Sequence, residues 1–248
     1  MGFWGKLLNW LTGKSNKPSV APEGQPKPPT QVVVPTKAIT KDLEGKQKRK
    51  LQMELRLLIE AYVFPNGVVP KHWKDYNLEK MVLDVCVALN SFGIKEIGSN
   101  KGHHVGLIQG TVGGYVPGGD GAAWCMSTDQ TIIAFIEDYC QIESPVKAGE
   151  LCTDVYAAAA KVQGLTTQSP TVGSFFSGRH GTTIKGHTGA VVELVWKAGK
   201  MLLNTFEGNV DNRAKYMFDR HPKQTGNFKV EGFIFVYPNN IVPVKALF

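Results

Sequence analysis

Residues 187 to 208 constrain the fold more than any other stretch. HTGAVVELVW (187–196) and KMLLNTFEG (200–208) alternate in character and are joined by the turn text KAGK, so they read as a β-hairpin. A further run, VEGFIFVYP (230–238), reads as a last strand. Before these strands the period is helical. A charged helix is expected at about 41–63, with Leu51, Leu55, Leu58, Ile59 and Tyr62 on its apolar face. Others are expected at about 77–91, 124–141 and 149–163. Helices first and paired strands afterwards specify an α+β fold, with N-terminal helices packed on an antiparallel sheet.

The N-terminal text is of a different kind. Residues 2–14 place Phe3, Trp4, Leu7, Leu8, Trp10 and Leu11 on one side of a helix, with Lys6 and Lys14 at its polar margin. That pattern suits an interfacial membrane helix, or a stripe that docks on a protein partner or on its own domain. Residues 15–40 hold six prolines and no helical period, and read as a semi-rigid linker. Residues 1–50 carry ten Lys/Arg and three Asp/Glu, which accounts for the whole net charge of +7. The tail is therefore attracted to polyanions such as anionic lipid, wall polymer or nucleic acid, whereas the remainder of the chain is neutral. No recognised nucleic-acid fold appears, so no specific nucleic acid is expected.

No apolar run reaches the roughly 20 residues of a membrane span. MGFWGKLLNWLTGK lacks the apolar core and cleavage site of a secretory signal, so synthesis in the cytoplasm without a signal peptide is expected. That compartment disfavours disulfides, and the spacings of Cys86, Cys125, Cys140 and Cys152 match no zinc pattern. Cys86 lies on an apolar helical stripe and reads as core. Cys140 and Cys152 read as core or as a mutual bridge.

Cys125 is different. The text GGDGAAWCMST brings a glycine-rich loop into a helix whose first turn holds the thiol. A helix N-terminus favours thiolate, and its free N–H groups can receive an oxyanion. Gly118, Gly119 and Gly121 would let the backbone approach a substrate. A base is available in His187, which lies within GHTG at the start of a strand. The hairpin then brings Glu207 to His187 at its open end, with Asn209 two residues on and on the same face if the strand continues. Glu207, Asn209 or Asp211 could orient the imidazole. Trp124 is the candidate substrate contact, lining the groove, or else seals the helix start. His103-His104 has no carboxylate at ligand spacing, and neither a metal nor a cofactor is expected. His180 reads as a loop residue.

The set EIGSNKGHHVGLIQ…GGDGAAWCMS, SPTVGSFFS…KGHTGAVVEL and TFEGNV resembles the CHAP family of cysteine, histidine-dependent amidohydrolases/peptidases over roughly residues 75–238. The resemblance implies a papain-like fold and an N-acetylmuramoyl-L-alanine amidase or endopeptidase acting on peptidoglycan, as in phage lysins. It makes Cys125 the nucleophile, His187 the general base and Glu207 the orienting residue, with Asn209 assisting. It also implies action at the bacterial cell wall after release or as part of a virion. Calcium, which some relatives hold just before the cysteine, is not expected, because Asp120 is the one acid there. The expected organisation is an amphipathic segment (1–14), a linker (15–40), a helical lead-in (41–74) and a CHAP-like catalytic domain (75–248). A non-wall thiol amidohydrolase and a catalytically silent docking protein are the alternatives.

Overall fold

Arg49 and the residues after it decide where the first helix begins. The computed structural model describes residues 49–67 and 77–236. The amphipathic segment, the proline-rich linker and the ends of the lead-in therefore lie outside the described residues. Of the helix expected at about 41–63, residues 41–48 lie outside the described residues; α1 spans Met53–Val63, and Gln52 is extended. Tertiary bonds hold the preceding residues open. Lys50 N–H donates to Thr111 O at 2.8 Å, and the buried Arg49 side chain bonds Glu137 at 2.9 Å, Gln130 and the Val146 carbonyl. Helical period alone carries no information about such long-range bonds.

Four more helices follow: α2 (Leu78–Ser91), α3 (His103–Gln109), α4 (Cys125–Cys140) and α5 (Cys152–Ala159). Asn77 caps α2, its side chain accepting from Lys80 N–H at 3.0 Å. The stripe containing Cys86 is buried as expected. Sequence periodicity missed α3, whose seven residues are too few to display a period.

The strands are β1 (Thr166–Thr167), β2 (Phe175–His180), β3 (Gly186–Lys197), β4 (Lys200–Val210), β5 (Arg213–Arg220), β6 (Gln224–Thr225) and β7 (Phe228–Ile234). They form one antiparallel sheet in the order β1-β7-β2-β3-β4-β5, with β6 paired to β7. The hairpin is present: Lys197 pairs with Lys200 and Ala190 with Phe206. β2 and β5 were not expected, and His180 ends β2 instead of lying in a loop. The architecture is mixed α+β.

α4 lies at the centre. It packs on β3 and β4, receives α2 and α3, and buries thirteen of its sixteen residues. Several of its polar residues inside the core are satisfied by hydrogen bonds. Thr128 Oγ1 donates to Trp124 O at 2.9 Å, and Thr131 Oγ1 to Ser127 O at 2.9 Å. Gln130 donates to Lys147 O at 3.0 Å. Ile132, Ile133, Phe135 and Ile136 fill the main core with Phe175, Ala190 and Phe206 of the sheet. The alternate sheet residues Phe176, Val191, Leu203, Phe228 and Phe233 form a second, smaller cluster, the two-residue period of strands made visible. Among the described residues no helix is long and apolar enough to cross a membrane.

Candidate active site

Cys125 is the first residue of α4, and its N-cap, Trp124, contributes no side-chain cap. The first-turn N–H groups therefore face the thiol uncapped by any side chain, which is the arrangement an oxyanion requires. The loop leading to Cys125 is held by Gln109 of α3. Gln109 Nε2 donates to Asn100 O at 3.1 Å and Ala122 O at 2.6 Å, while its Oε1 accepts from Asp120 N–H at 3.2 Å. Gly119 takes φ +90°, and a Cβ there would stand 2.6 Å from Gln109 Oε1. Close approach at Gly119 is thus to α3, a packing role that sequence assigned to substrate access.

Trp124 is fully buried, and its indole N–H donates to Glu96 Oε1 at 2.9 Å. A side chain without exposure does not line a groove; Trp124 seals the helix start. Gly208 of β4 lies against it and against Thr128, where any Cβ would overlap Thr128 Oγ1.

The expected base and orienting residue meet. His187 Nε2 donates to Glu207 Oε2 at 2.7 Å, and the imidazole is close enough to the Cys125 thiol for each to shift the other's titration. Nε2 is occupied by the carboxylate, which leaves Nδ1 for Cys125. The strand register explains the meeting. Ala190 opposite Phe206 puts Gly189 beside Glu207, and His187 lies diagonally across on the same face. A Cβ at Gly189 would stand 2.5 Å from Glu207 Cγ, so the carboxylate occupies space that a side chain would fill.

Sequence reasoning missed Arg220. At the end of β5 its guanidinium bonds both Glu207 oxygens, through Nε and Nη2, while its carbon lies 5.5 Å from the Phe176 ring centroid. Thr205 Oγ1 also donates to Glu207 Oε1. Such a fork suits a buried carboxylate. No local signal marked Arg220, because its strand was not legible. Asn209 stands apart from this network. β4 is irregular between Glu207 and Val210, Asn209 adopts φ 58°, and it makes no side-chain hydrogen bond among the described residues. The regular strand assumed for a shared face ends before it. Asp211 is exposed and pairs with Lys215.

The charges support one another. Burial opposes ionisation of Glu207, but His187 and Arg220 hold it below its ordinary value. Burial likewise opposes a charged His187, and interactions with Cys125 and Glu207 overcome it, raising the imidazole to about 9. At the thiols, interaction with Cys152 and burial push Cys125 up while His187 opposes them, and interaction with Cys125 draws Cys152 down.

Beneath this layer Asp129, one turn after Cys125, is fully buried, and burial raises its carboxyl well above the ordinary range. It is neutral. Its Oδ2 lies 2.6 Å from Thr188 Oγ1, which is itself 2.6 Å from Phe176 O. The Thr188 hydroxyl faces two acceptors, Asp129 Oδ2 and Phe176 O, and the buried Asp129 Oδ1 has no hydrogen-bond partner among the described residues.

All four cysteines are free, so the Cys140–Cys152 bridge is not formed. The carboxylate that sequence spacing failed to supply for His103-His104 comes from α1. Glu54, His103 and His104 bring ligand atoms within 4.8 Å of one another, and Glu54 accepts from His103 at 2.7 Å. No protein-family model, curated protein or solved structure matches the chain.

The site combines a thiol at a helix N-terminus, an imidazole on it and a clamped carboxylate behind the imidazole. This is the equipment of a thiol acyl-transfer catalyst.

Proposed function

We propose that the chain is a cysteine-dependent peptidoglycan amidase or endopeptidase of papain-like layout. The observation that carries the reading is the buried His187–Glu207 hydrogen bond, anchored by Arg220, beside a thiol at the start of α4. The CHAP-like text at these same positions adds the substrate class.

In the proposed reaction the neutral form of His187 takes the Cys125 proton at Nδ1, and the thiolate attacks an amide carbonyl of the wall peptide. The oxyanion lies against the N–H groups of the first turn of α4. His187 then protonates the departing amine, leaving a thioester on Cys125. Water, deprotonated by His187, hydrolyses the thioester and releases the acid. Glu207 keeps Nε2 protonated throughout, so that Nδ1 faces the sulfur. Every group required is a side chain or backbone N–H of this chain, and no step calls for a metal.

The basic tail would deliver this neutral domain. Residues 1–14 would engage a membrane surface, a wall polymer or a virion protein, and the enzyme would act at the bacterial wall after release or within a virion.

The test is turbidity loss of purified Gram-positive and Gram-negative peptidoglycan, comparing the protein with Cys125→Ala, each with and without EDTA. Activity should fall at least about 10³-fold in the variant and be indifferent to EDTA. Mass spectrometry of the fragments then names the bond. Walls left intact by the unmodified protein would refute the wall-hydrolase reading and turn attention to non-wall amides.

A further inference from the structure

The cluster of Glu54, His103 and His104 takes no part in the proposed reaction, yet the fold assembles it from two helices. Glu54 stands in the first turn of α1, and the two histidines open α3. One carboxylate oxygen and two imidazole nitrogens lie within 4.8 Å of one another. Glu54 Oε1 accepts from His103 Nε2 at 2.7 Å, and the imidazole centroids are 5.4 Å apart. The helices are docked independently of this cluster. Gln52 Nε2 donates to Gly110 O at 3.1 Å and Lys50 N–H to Thr111 O at 2.8 Å, which fixes the entry to α1 against the end of α3. The backbone therefore holds the three groups together, while their side chains stay adjustable: Glu54 and His103 are about half exposed, and His104 is partly exposed.

We propose that Glu54, His103 and His104 bind one divalent transition-metal ion of the zinc type, which clips α1 to α3. Two imidazoles and one carboxylate are a borderline donor set that suits Zn²⁺, unlike the all-oxygen shells of Ca²⁺ and Mg²⁺. Tetrahedral bonds of about 2.0–2.2 Å set ligand atoms about 3.3 Å apart, so the Glu54–His103 pair opens slightly to admit the ion. His103 coordinates through Nε2 once that nitrogen has given up its proton. Water completes the tetrahedron from the solvent side. The side chains of two helices make this site, and the N–H groups of the short α3 contribute nothing to it. Its consequence is structural. Gln109 of α3 holds the loop before Cys125, and Gly102, next to His103, donates to Gly118 O of that loop at 2.8 Å. None of the three ligands belongs to the His187–Glu207–Arg220 network, so the ion braces the fold without entering the thiol chemistry. The inference is independent of which amide, if any, the site cleaves.

The experiment strips the full chain with EDTA, removes the chelator by dialysis and titrates Zn²⁺ by calorimetry, with Tm followed in parallel. One equivalent should bind, and Tm should rise with Zn²⁺ concentration while Mg²⁺ leaves it unchanged. Co²⁺ in place of Zn²⁺ should give visible ligand-field bands without the near-ultraviolet charge-transfer band of a cobalt–thiolate bond. His104→Ala and Glu54→Gln should each weaken Zn²⁺ binding at least about tenfold, no less than the loss of an outer-shell partner costs. Both variants should keep the metal-free Tm, since they alter exposed or partly exposed side chains. No response to excess Zn²⁺, a thiolate band with the first equivalent, or undiminished binding in both variants overturns the proposal. Zinc binding without wall lysis would reject only the hydrolase reading, and lysis without zinc binding would reject only this one.

Discussion

Arg220 grips both carboxylate oxygens of Glu207, a residue with no solvent exposure, from a strand the hairpin does not include. The clamp makes a buried negative charge tolerable and presents it to His187. Replacing Arg220 with Leu should strand that charge and cost about 3–5 kcal/mol of unfolding free energy, measured by urea titration. Arg220→Lys keeps the charge but loses the fork, and should retain more stability than activity. Equal, small losses in both variants would show that the clamp does not position Glu207.

His187 gives a pH signature. Its folded value, about 9, exceeds its ordinary 6.5, so folding favours the protonated ring. That contribution is fully present below about 6.5 and is lost as pH rises through about 9. Glu207→Gln removes one source of the shift. Proton NMR should then show the His187 titration moved toward 6.5, and the decline in stability between these pH values should flatten. An unmoved titration would contradict the assigned pairing.

Asp129 predicts the opposite kind of variant, one that improves the fold. Burial raises its folded pKa, so its contribution to stability is present below its ordinary 3.8 and is lost as pH rises. At neutral pH the unfolded chain gains from ionising it. Asp129→Asn keeps an acceptor for Thr188 and removes that penalty, each unit of upward shift being worth about 1.4 kcal/mol. A higher Tm at pH 7 is expected, with the advantage shrinking toward pH 4. A lower Tm at pH 7 would mean Asp129 is ionised in the fold.

Gly189→Ala places a Cβ 2.5 Å from Glu207 Cγ and 2.6 Å from Phe206 O. Overpacking of this kind costs about 1–3 kcal/mol. It should also lower kcat more than it raises KM, since it displaces the carboxylate behind the base and not the substrate. Unchanged kinetics would remove Glu207 from the catalytic chain.

Trp124→Phe tests the reassignment of that residue. Losing the indole N–H to Glu96 should lower stability by about 1–2 kcal/mol while leaving KM within about twofold. A large rise in KM with stability intact would return Trp124 to the substrate groove.

What the sequence determined by itself are the features written in short-range text. The helical and alternating periods gave α2, α4, β3 and β4, since burial of one face imposes its period on nearby residues. Hairpin geometry also carried His187 to Glu207 without further help, because a short turn fixes the register. What only the tertiary structure decided are relations between distant segments. Arg220 reaches Glu207 from β5, and Arg49 holds its neighbourhood open through bonds to Glu137 and Val146. The irregularity in β4 that sets Asn209 apart, and the burial that withdraws Trp124, belong to the same class. Periodicity records which face of a segment is buried. It does not record which distant side chain completes the hydrogen bonds of a buried charge, and here that partner defines the site.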